Sequence, residues 1–324
     1  MRFIQHQTDK QGYQLQMAQM KEPVPDANQV LVQVFAFGIN RADVLQAEGK
    51  YPPPPEHSTI LGLEIAGKII EVGAKVKGWN IGDKVFCLTS GGGYAEYAVV
   101  DYRHLLAIPE QMTMAQAAGM AEVFLTAYQS LFELCQLQAQ QKVLIHAGAS
   151  GVGLAATQLA KHADCLVAVT SSSNEKLAAC HANGADLLIN YHKEDFVEVI
   201  RQQWTAVDAI IDVVGATYLN RNLKAISLDG TIVQLAMLGG RYAEQLDIAL
   251  LLGKRVKLQG STLRNRSDDY KAQLVQLFNH RFGDLLKRNQ LLANIQQVFD
   301  SSQIEHTHQI LAGNSNIGKL VVSW

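Results

Sequence analysis

The chain has 324 residues, of which 48% are hydrophobic and 18% are charged, with a formal net charge of -2. The length exceeds the usual size of one domain and the apolar content suits a large core, so a folded enzyme of two domains is expected. A net charge near zero gives no electrostatic basis for binding nucleic acid or a membrane surface. No apolar run reaches about 18 residues, no signal peptide is evident at the N-terminus, and the four cysteines lack C-x-x-C spacing. A cytoplasmic protein with reduced thiols is expected.

The N-terminal part of the chain alternates short β-rich segments with turn signals. Strands are predicted over residues 30–37, 63–72, 84–88 and 94–100, which indicates a barrel-like β domain. The sequence Tyr-Pro-Pro-Pro-Pro at residues 51–55 predicts a stiff surface loop, because proline lacks the backbone donor and fixes φ. Tyr51 is expected to project from this loop into a cleft. From Thr113, which suits a helix N-cap, the sequence becomes helical.

Residues 142–170 predict a strand, a glycine turn, a helix and a second strand. The glycines follow the spacing G-x-x-G-x-G instead of the more usual G-x-G-x-x-G. Glycine permits a sharp turn and a close approach of backbone N–H groups to a pyrophosphate, which binds at the helix N-terminus. Taken alone, the turn is weak evidence for a cofactor, because any α/β protein can have a tight connection of this kind.

Strands and helices continue to alternate after residue 170. Helices are predicted over residues 174–183, 193–204 and 217–226, and strands over residues 187–190, 207–214, 231–237 and 256–261. This order predicts a doubly wound parallel sheet, which favours the cofactor interpretation of the turn. Ligands of such sheets bind beyond the carboxyl ends of the strands, so Gly148, Thr170, Gly215 and residues 238–240 should line one crevice. Two helices, over residues 268–289 and 304–311, and a strand over residues 319–323 follow.

The segment after the second strand of this unit indicates which dinucleotide binds. An NAD site usually carries Asp or Glu there, whereas this chain has Ser171, Ser172 and Ser173 followed by Lys176. Hydroxyl donors and an ammonium suit a 2′-phosphate, and Glu175 can point outward from the helix. NADPH is therefore predicted, with the alternative that the serines only cap the next helix.

Five short motifs carry a family resemblance along nearly the whole chain. They are Gly-Ile-Asn-Arg-Ala-Asp at residues 38–43, Ile-Leu-Gly-Leu-Glu at 60–64, Phe-Leu-Thr-Ala-Tyr at 124–128, His-Ala-Gly-Ala-Ser-Gly-Val-Gly at 146–153 and Asn-Ile-Gly-Lys at 316–319. With them the chain resembles the zinc-independent quinone oxidoreductases of the medium-chain dehydrogenase/reductase superfamily, and is most similar to the tumour-suppressor-inducible NADPH quinone oxidoreductase branch. The resemblance implies a GroES-like substrate domain of residues 1–118 completed by residues 263–324, a Rossmann NADPH-binding domain of residues 119–262, and a homodimer.

The resemblance also bears on zinc. Zinc alcohol dehydrogenases of this superfamily place a cysteine, a histidine and a cysteine where this chain has Asn40, Leu63 and Glu122. A leucine removes one ligand outright, and no four-cysteine lobe follows Asp83, so no metal is expected. The His-x-His pair at residues 306 and 308 is not assigned to a metal, and Glu64 is expected to be structural.

The resemblance implies site residues in both domains. Asn40, Asp43 and Tyr51 would form the catalytic side of the pocket, with Asn40 or Tyr51 donating a hydrogen bond to the quinone oxygen. The alternatives are a structural loop network for Asn40 and Asp43, and a loop anchor for Tyr51. Thr126 would lie near the nicotinamide carboxamide. The further cofactor contacts would be Gly148, Ala149, Ser150, Gly151 and Val152 on the pyrophosphate, Ser173 and Lys176 on the 2′-phosphate, Tyr191 on the adenosine, and Val214, Gly215, Leu238, Gly239, Leu263 and Asn316 on the nicotinamide half.

The predicted activity is NADPH-dependent reduction of a quinone by electron or hydride transfer. Without a metal to stabilise an alkoxide, an acceptor that is already electrophilic needs little beyond orientation. Two alternatives stay open at this point. One is reduction of the C=C bond of an enal or enone, which only the pocket shape separates from the first; the other is a non-catalytic NADPH-binding sensor.

Overall fold

The computed structural model describes residues 1–9, 12–55 and 57–324. It divides into two compact units, one formed by Met1–Leu125 with Arg264–Trp324 and the other by Thr126–Leu263. The breaks fall after Leu125 and after Leu263, whereas the sequence predicted them after residues 118 and 262. The first break lies inside the helix Ala121–Tyr128, so no loop marks it in the sequence.

The first unit begins with an antiparallel hairpin and continues into a larger sheet. Its elements up to the first break are β1 (Arg2–Asp9), β2 (Gly12–Gln19), β3 (Gln29–Ile39), α1 (Arg41–Ala47), β4 (Glu64–Val72), β5 (Lys84–Leu88), β6 (Tyr97–Asp101), β7 (Leu105–Ala107), α2 (Met114–Ala118) and α3 (Ala121–Tyr128). Strand β3 pairs antiparallel with both β4 and β6, and its side chains are buried along most of its length. As predicted, Thr113 caps α2, and its hydroxyl accepts a hydrogen bond from the Gln116 amide.

The second unit is a six-stranded sheet in which every observed pairing is parallel. After a π-helical turn over Gln129–Leu134 its elements are β8 (Lys142–Ile145), α4 (Gly151–His162), β9 (Leu166–Ser171), α5 (Asn174–Ala182), β10 (Leu187–Asn190), α6 (Phe196–Trp204), β11 (Val207–Asp212), α7 (Thr217–Ala225), β12 (Ile226–Gln234), α8 (Ile248–Gly253) and β13 (Lys257–Gly260). The strand order is β10-β9-β8-β11-β12-β13. The prediction of a doubly wound parallel sheet is confirmed.

The C-terminal part of the chain belongs to the first unit. It contributes α9 (Asp268–Lys287), β14 (Ile295–Asp300), α10 (Ile304–Ala312) and β15 (Lys319–Ser323). Strand β15 pairs antiparallel with β3 and parallel with β14, which gives the order β14-β15-β3-β4-β5-β7 with β6 also paired to β3. Because Leu320 lies opposite Ile39, the start of β15 is brought to the end of β3.

Each unit has its own hydrophobic core. Phe37, Ile65 and Tyr94 are among the largest buried side chains of the first, and Leu144, Phe196 and Ile210 belong to the core of the second. Within the described residues, no helix combines the length and apolar character that crossing a membrane requires.

Candidate active site

The glycine turn of the second unit joins β8 to the N-terminus of α4. A Cβ on Gly148 would lie 2.6 Å from the Val169 Cβ on β9, and a Cβ on Gly153 would lie 2.5 Å from the Gly148 carbonyl oxygen. Both positions therefore exclude any side chain. Ser150 is the N-cap of α4, and its Oγ accepts a hydrogen bond from the Gly153 amide at 3.1 Å. The Ser150 O–H can still donate a hydrogen bond to a ligand. The first turn of α4 has no acidic residue that would repel an anion at the helix N-terminus.

The junction between β9 and α5 is rich in hydroxyl groups. Ser171 ends β9 and is buried, and Ser173 caps α5 by accepting a hydrogen bond from the Lys176 amide at 3.2 Å. The capping alternative for Ser173 thus holds, and its O–H still has a proton to donate. Glu175 is exposed. Tyr191 follows β10, and its amide donates to the Ser171 carbonyl, so it lies at the same edge of the sheet as the serines.

The loops that follow β11 and β12 are hydrogen-bonded to each other. The Leu238 amide donates to the Val213 carbonyl and the Gly239 amide to the Val214 carbonyl, at 3.1 and 2.8 Å. Gly215 has a φ of 69°, a left-handed conformation that favours glycine. The structure therefore brings together Val214, Gly215, Leu238 and Gly239, the residues that the sequence analysis assigned to the nicotinamide half.

A buried network that the sequence analysis missed supports these loops. His146 lies between the Thr170 hydroxyl at 2.9 Å and the Asn222 amide oxygen at 2.8 Å. Asn222 donates in turn to the Asp212 carboxylate, which also accepts from the Val214 and Gly215 amides. Burial lowers the pKa of His146, which keeps the ring neutral. This arrangement connects the carboxyl ends of β8, β9 and β11 with α7.

Thr126 and Leu263 stand at the two ends of the second unit's sequence. The Thr126 Oγ1 is buried and has no hydrogen-bond partner in the described part of the chain. A buried hydroxyl without a partner is costly unless a ligand supplies one. Together with the side-chain-free turn at Gly148, this orphan hydroxyl fits a nicotinamide dinucleotide. Leu263 is buried, and Asn316, the last of the predicted contacts, lies in the first unit with its amide held by the Gly318 carbonyl.

In the first unit, Asn40 takes part in a buried ionic network. Its Oδ1 accepts a hydrogen bond from the Lys319 ammonium at 2.7 Å, and its Nδ2 donates to Glu64 Oε1 at 3.0 Å. Lys319 and Glu64 form an ion pair of 2.6 Å, with side chains 4% and 0% exposed. The second Glu64 oxygen accepts from the Glu122 amide. Both the oxygen and the nitrogen of the Asn40 amide are therefore hydrogen-bonded within the protein, which agrees with the alternative of a structural network.

Asp43 continues this network towards the hairpin. Its carboxylate accepts hydrogen bonds from the amides of Asn40 and Gly62 and from the Tyr94 hydroxyl. His308 bridges the hydroxyls of Tyr94 and Tyr13, at 3.0 and 2.9 Å. Burial raises the pKa of Asp43 to about 6 and, with a smaller contribution from His6, lowers that of His308 to about 4. Nothing in the sequence around His308, the second histidine of the His-x-His pair, predicted that it bridges Tyr94 and Tyr13.

Tyr51 has different surroundings. Its ring lies 5.4 Å from the guanidinium carbon of Arg264, and no hydrogen bond of its hydroxyl is found within residues 1–9, 12–55 and 57–324. Burial and the nearby Glu122 raise the pKa of Tyr51, so the phenol keeps its proton. Of the three predicted catalytic residues, Asn40 and Asp43 lie together in the ionic network and Tyr51 lies beside Arg264.

The positions of the zinc ligands in related dehydrogenases hold other groups here. Lys319 contacts Asn40, and Leu63 is buried. Among the described residues, no group of three or more His, Cys, Asp and Glu side chains is placed to hold a metal ion.

Comparisons with known proteins agree with both units. The sequence model of an alcohol dehydrogenase GroES-like domain matches residues 26–110, and that of a zinc-binding dehydrogenase matches residues 151–280. The quinone oxidoreductase of Rattus norvegicus is 31% identical over 244 residues, which are 74% of this chain and 73% of that protein.

Solved structures give the same result. The quinone oxidoreductase of Escherichia coli complexed with NADPH is 25% identical, with a TM-score of 0.85 over 100% of this chain and 99% of that chain. The CurK enoyl reductase is 27% identical, with a TM-score of 0.85 over 99% and 98%. A GroES-like unit, a Rossmann unit with a side-chain-free glycine turn, and these relatives lead to one conclusion. The chain is a nicotinamide-dependent oxidoreductase that belongs to the quinone oxidoreductase family of the medium-chain dehydrogenase/reductase superfamily.

Proposed function

We propose that this protein is a zinc-independent enzyme that reduces quinones with NADPH, by electron or hydride transfer. The observation that carries the proposal is the Lys319 ammonium, which lies 2.7 Å from Asn40 Oδ1 and 2.6 Å from Glu64 Oε1. Asn40 stands where zinc dehydrogenases of the superfamily have a cysteine ligand. The buried Lys319 ammonium contacts Asn40, and its positive charge would repel a Zn²⁺ ion at this position. Oxidation of an alcohol needs a group that stabilises an alkoxide. A conjugated acceptor needs mainly orientation and a hydrogen-bond donor.

The second unit would hold the cofactor. Bound NADPH supplies the hydride or the electrons. The N-terminus of α4 with residues 148–152 binds the pyrophosphate, Ser173 and Lys176 bind the 2′-phosphate, and Tyr191 lies against the adenosine. The orphan hydroxyl of Thr126 orients the nicotinamide carboxamide, with Val214, Gly215, Leu238, Gly239, Leu263 and Asn316 as the remaining contacts.

Tyr51 is the residue that we assign to the acceptor. Its phenol is protonated and makes no hydrogen bond within the described chain, so it can donate to a quinone oxygen. The Asn40 side chain has no amide hydrogen left for a quinone oxygen, because its Nδ2 already donates to Glu64 and to the Gly38 carbonyl. We therefore propose that Asn40 and Asp43 position the loop that precedes Tyr51.

The activity test follows the oxidation of NADPH by the purified protein with 1,2-naphthoquinone and, in parallel, with a 2-alkenal. Turnover of the quinone alone supports the proposal. Turnover of the alkenal alone would instead show a C=C reductase, the second candidate, which the similarity to the CurK enoyl reductase favours. Tight NADPH binding without turnover of either acceptor would show a sensor.

The cofactor preference has its own test. Replacing Lys176 by alanine should raise the KM for NADPH roughly 10- to 100-fold, the effect of one lost hydrogen bond between charged groups, and leave the KM for NADH nearly unchanged. Lys193→Ala is the matched control, because Lys193 is an exposed lysine beyond the next strand. Equal effects of Lys176→Ala on both cofactors would contradict the assignment to the 2′-phosphate.

A cytoplasmic homodimer is part of the same proposal. Strand β13 ends the sheet of the second unit with all four residues exposed, and Leu258 on it is 40% exposed. Nearby in sequence, Ile248 and Leu252 of α8 are also exposed. Apolar residues on a free strand edge favour pairing with a second copy. Light scattering should give twice the chain mass, and a Leu258→Lys variant should shift it to the monomer.

Buried free thiols at Cys87 and Cys180 suit a reducing compartment.

A further inference from the structure

Arg264 is a buried cation that has neither a hydrogen bond nor an ion pair within the described residues. Its residue is 6% exposed, and none of Nε, Nη1 and Nη2 has a hydrogen-bond partner among residues 1–9, 12–55 and 57–324. The other buried lysines that the structure describes in this unit are paired, since Lys319 contacts three acceptors and Lys271 donates to the Ser90 hydroxyl. A buried guanidinium without an oxygen partner reduces stability, so its presence points to a ligand that brings negative charge or oxygen.

The surroundings of Arg264 are those of a reaction site. The guanidinium carbon lies 5.4 Å from the centre of the Tyr51 ring. Charge interactions couple Arg264 to Tyr51, Asp43 and Glu122, although it forms no ion pair with any of them. Glu122 is partly exposed, its backbone is held by Glu64, and its carboxyl makes no hydrogen bond within the described chain. The guanidinium and the phenol thus lie side by side with their hydrogen-bonding atoms uncommitted, and the charge of the uncommitted Glu122 carboxyl acts on both.

We propose that Arg264 and Glu122 form an acceptor-oxygen site, in which the guanidinium binds the oxygen that becomes negative and the carboxyl delivers a proton to it. The inference rests on the proposed function, which it deepens. Hydride transfer would break a C–H bond of the reduced nicotinamide and form a C–H bond on an acceptor carbon conjugated with the C=O group, whose electron pair would shift on to the oxygen. The Glu122 O–H bond breaks as the new O–H bond forms. The Glu122 carboxylate left behind takes a proton from water, and the products are the reduced acceptor and the oxidised nicotinamide.

The protonation state of Glu122 agrees with this role. Burial, followed by repulsion from Glu64, raises the pKa of Glu122 to about 8, so the carboxyl holds a proton at neutral pH. An acid whose pKa is close to the working pH is well suited to proton transfer. The charged and titratable groups that interact with Glu122 are Glu64, Lys319, Asp43, Arg264, Tyr51 and Lys271.

Binding of an unreactive anion tests the site without turnover. The probe is 4-nitrophenolate, added to the protein saturated with NADP⁺, with bound and free probe separated by equilibrium dialysis and measured by absorbance. Arg264→Met should weaken this binding at least about tenfold, the usual size of a charged hydrogen bond. Arg266→Met is the control, because it removes the same charge two residues away, where the guanidinium lies over the Tyr270 ring.

The same titration tests Glu122. Wild-type affinity for the phenolate should fall as the pH rises through about 8, because the Glu122 carboxylate then repels the probe. In Glu122→Gln the fall should disappear, whereas Glu110→Gln, at an exposed carboxylate, should retain it. Melting temperature serves as the fold control: removing an unpaired buried cation should leave Arg264→Met at least as stable as the wild type.

Turnover provides the second readout. Arg264→Met should lower kcat roughly 100-fold or more, as loss of an oxyanion donor does, with the affinity for NADPH unchanged. Glu122→Gln should lower kcat by a similar factor and remove the decline of kcat/KM above about pH 8.

The outcomes separate this inference from the proposed function. Loss of phenolate binding in Arg264→Met, with the Glu122-dependent pH effect, supports the site even if no quinone is reduced. An active wild type in which Arg264→Met behaves like Arg266→Met would overturn the site while the function stands. Weakened NADPH binding in Arg264→Met, with phenolate binding intact, would overturn it as well, because Arg264 would then serve the cofactor.

Discussion

Replacing Lys319 by methionine should destabilise the first unit by about 3–5 kcal/mol, the cost of leaving a buried charge without its partner. The Lys319 ammonium uses its three hydrogens on Glu64 Oε1 at 2.6 Å, Asn40 Oδ1 at 2.7 Å and the Ile39 carbonyl at 2.8 Å. Methionine has a similar length but no donor. Glu64 would keep only the hydrogen bonds from the Asn40 amide and the Glu122 backbone for a fully buried carboxylate.

For a unit of this size, a loss of about 3–5 kcal/mol lowers the melting temperature by roughly 6–20 °C. The three tryptophans allow the units to be observed separately, since Trp79 and Trp324 belong to the first and Trp204 to the second. In a Trp204→Phe background, tryptophan fluorescence reports the first unit alone, which avoids treating a two-unit protein as one transition.

Two further variants make this measurement decisive. Lys84→Met is the matched control, because Lys84 also starts a strand but is exposed, and it should change the melting temperature little. Adding Glu64→Gln to Lys319→Met removes the unpaired charge and should recover part of the loss. If Lys319→Met has the same melting temperature as Lys84→Met, the ionic network does not stabilise the unit and our reasoning is wrong.

Three other predictions concern the cofactor turn, Thr126 and His308. Gly153→Ala should weaken NADPH binding at least about tenfold, because its Cβ would lie 2.5 Å from the Gly148 carbonyl oxygen, whereas Gly253→Ala, with open space around it, should bind normally in the same fluorescence titration. Thr126→Val should lower NADPH affinity about 5- to 10-fold without lowering the melting temperature, because the hydroxyl has no partner in the described chain; a lower melting temperature with unchanged affinity would contradict its assignment. Because the folded pKa of His308 is about 4 and its usual value 6.5, the unfolded state binds more protons between these values. Stability should therefore fall by roughly 3 kcal/mol as the pH drops from 6.5 to 4, and urea unfolding of His308→Gln should show this component removed.

The parallel sheet could be predicted from the sequence because its inner strands β8, β9 and β11 are buried along most of their length. Such strands are continuous apolar runs between glycine turns, and the predicted bounds of Leu187–Asn190 agree with the structure. The hairpin β1–β2 was not predicted, because β2 exposes most of its side chains and has a weak apolar signal. Strand β14 was missed for the same reason, as Phe299 is its one fully buried residue.

The glycine turn could be predicted because it is local in sequence, whereas the acceptor side could not. Lys319 meets Asn40 only through the pairing of β15 with β3, and hydrophobic periodicity carries no information on such distant pairs. Arg264 and Glu122 likewise become a candidate pair only when their neighbours and burial are known. Asn40 and Asp43 were predicted as a site from their motif, and the structure shows that their polar atoms serve the ionic network.

The position of β15 beside β3 has a consequence for biosynthesis. The ribosome produces the whole second unit, Thr126–Leu263, before it reaches the strand that completes the first unit's sheet. A nascent chain can therefore form its Rossmann sheet while β3 still lacks its β15 partner and Glu64 still lacks its ion pair with Lys319. During this interval the first unit has an unpaired strand edge and a carboxylate without its ion-pair partner, and such an edge can pair with other chains.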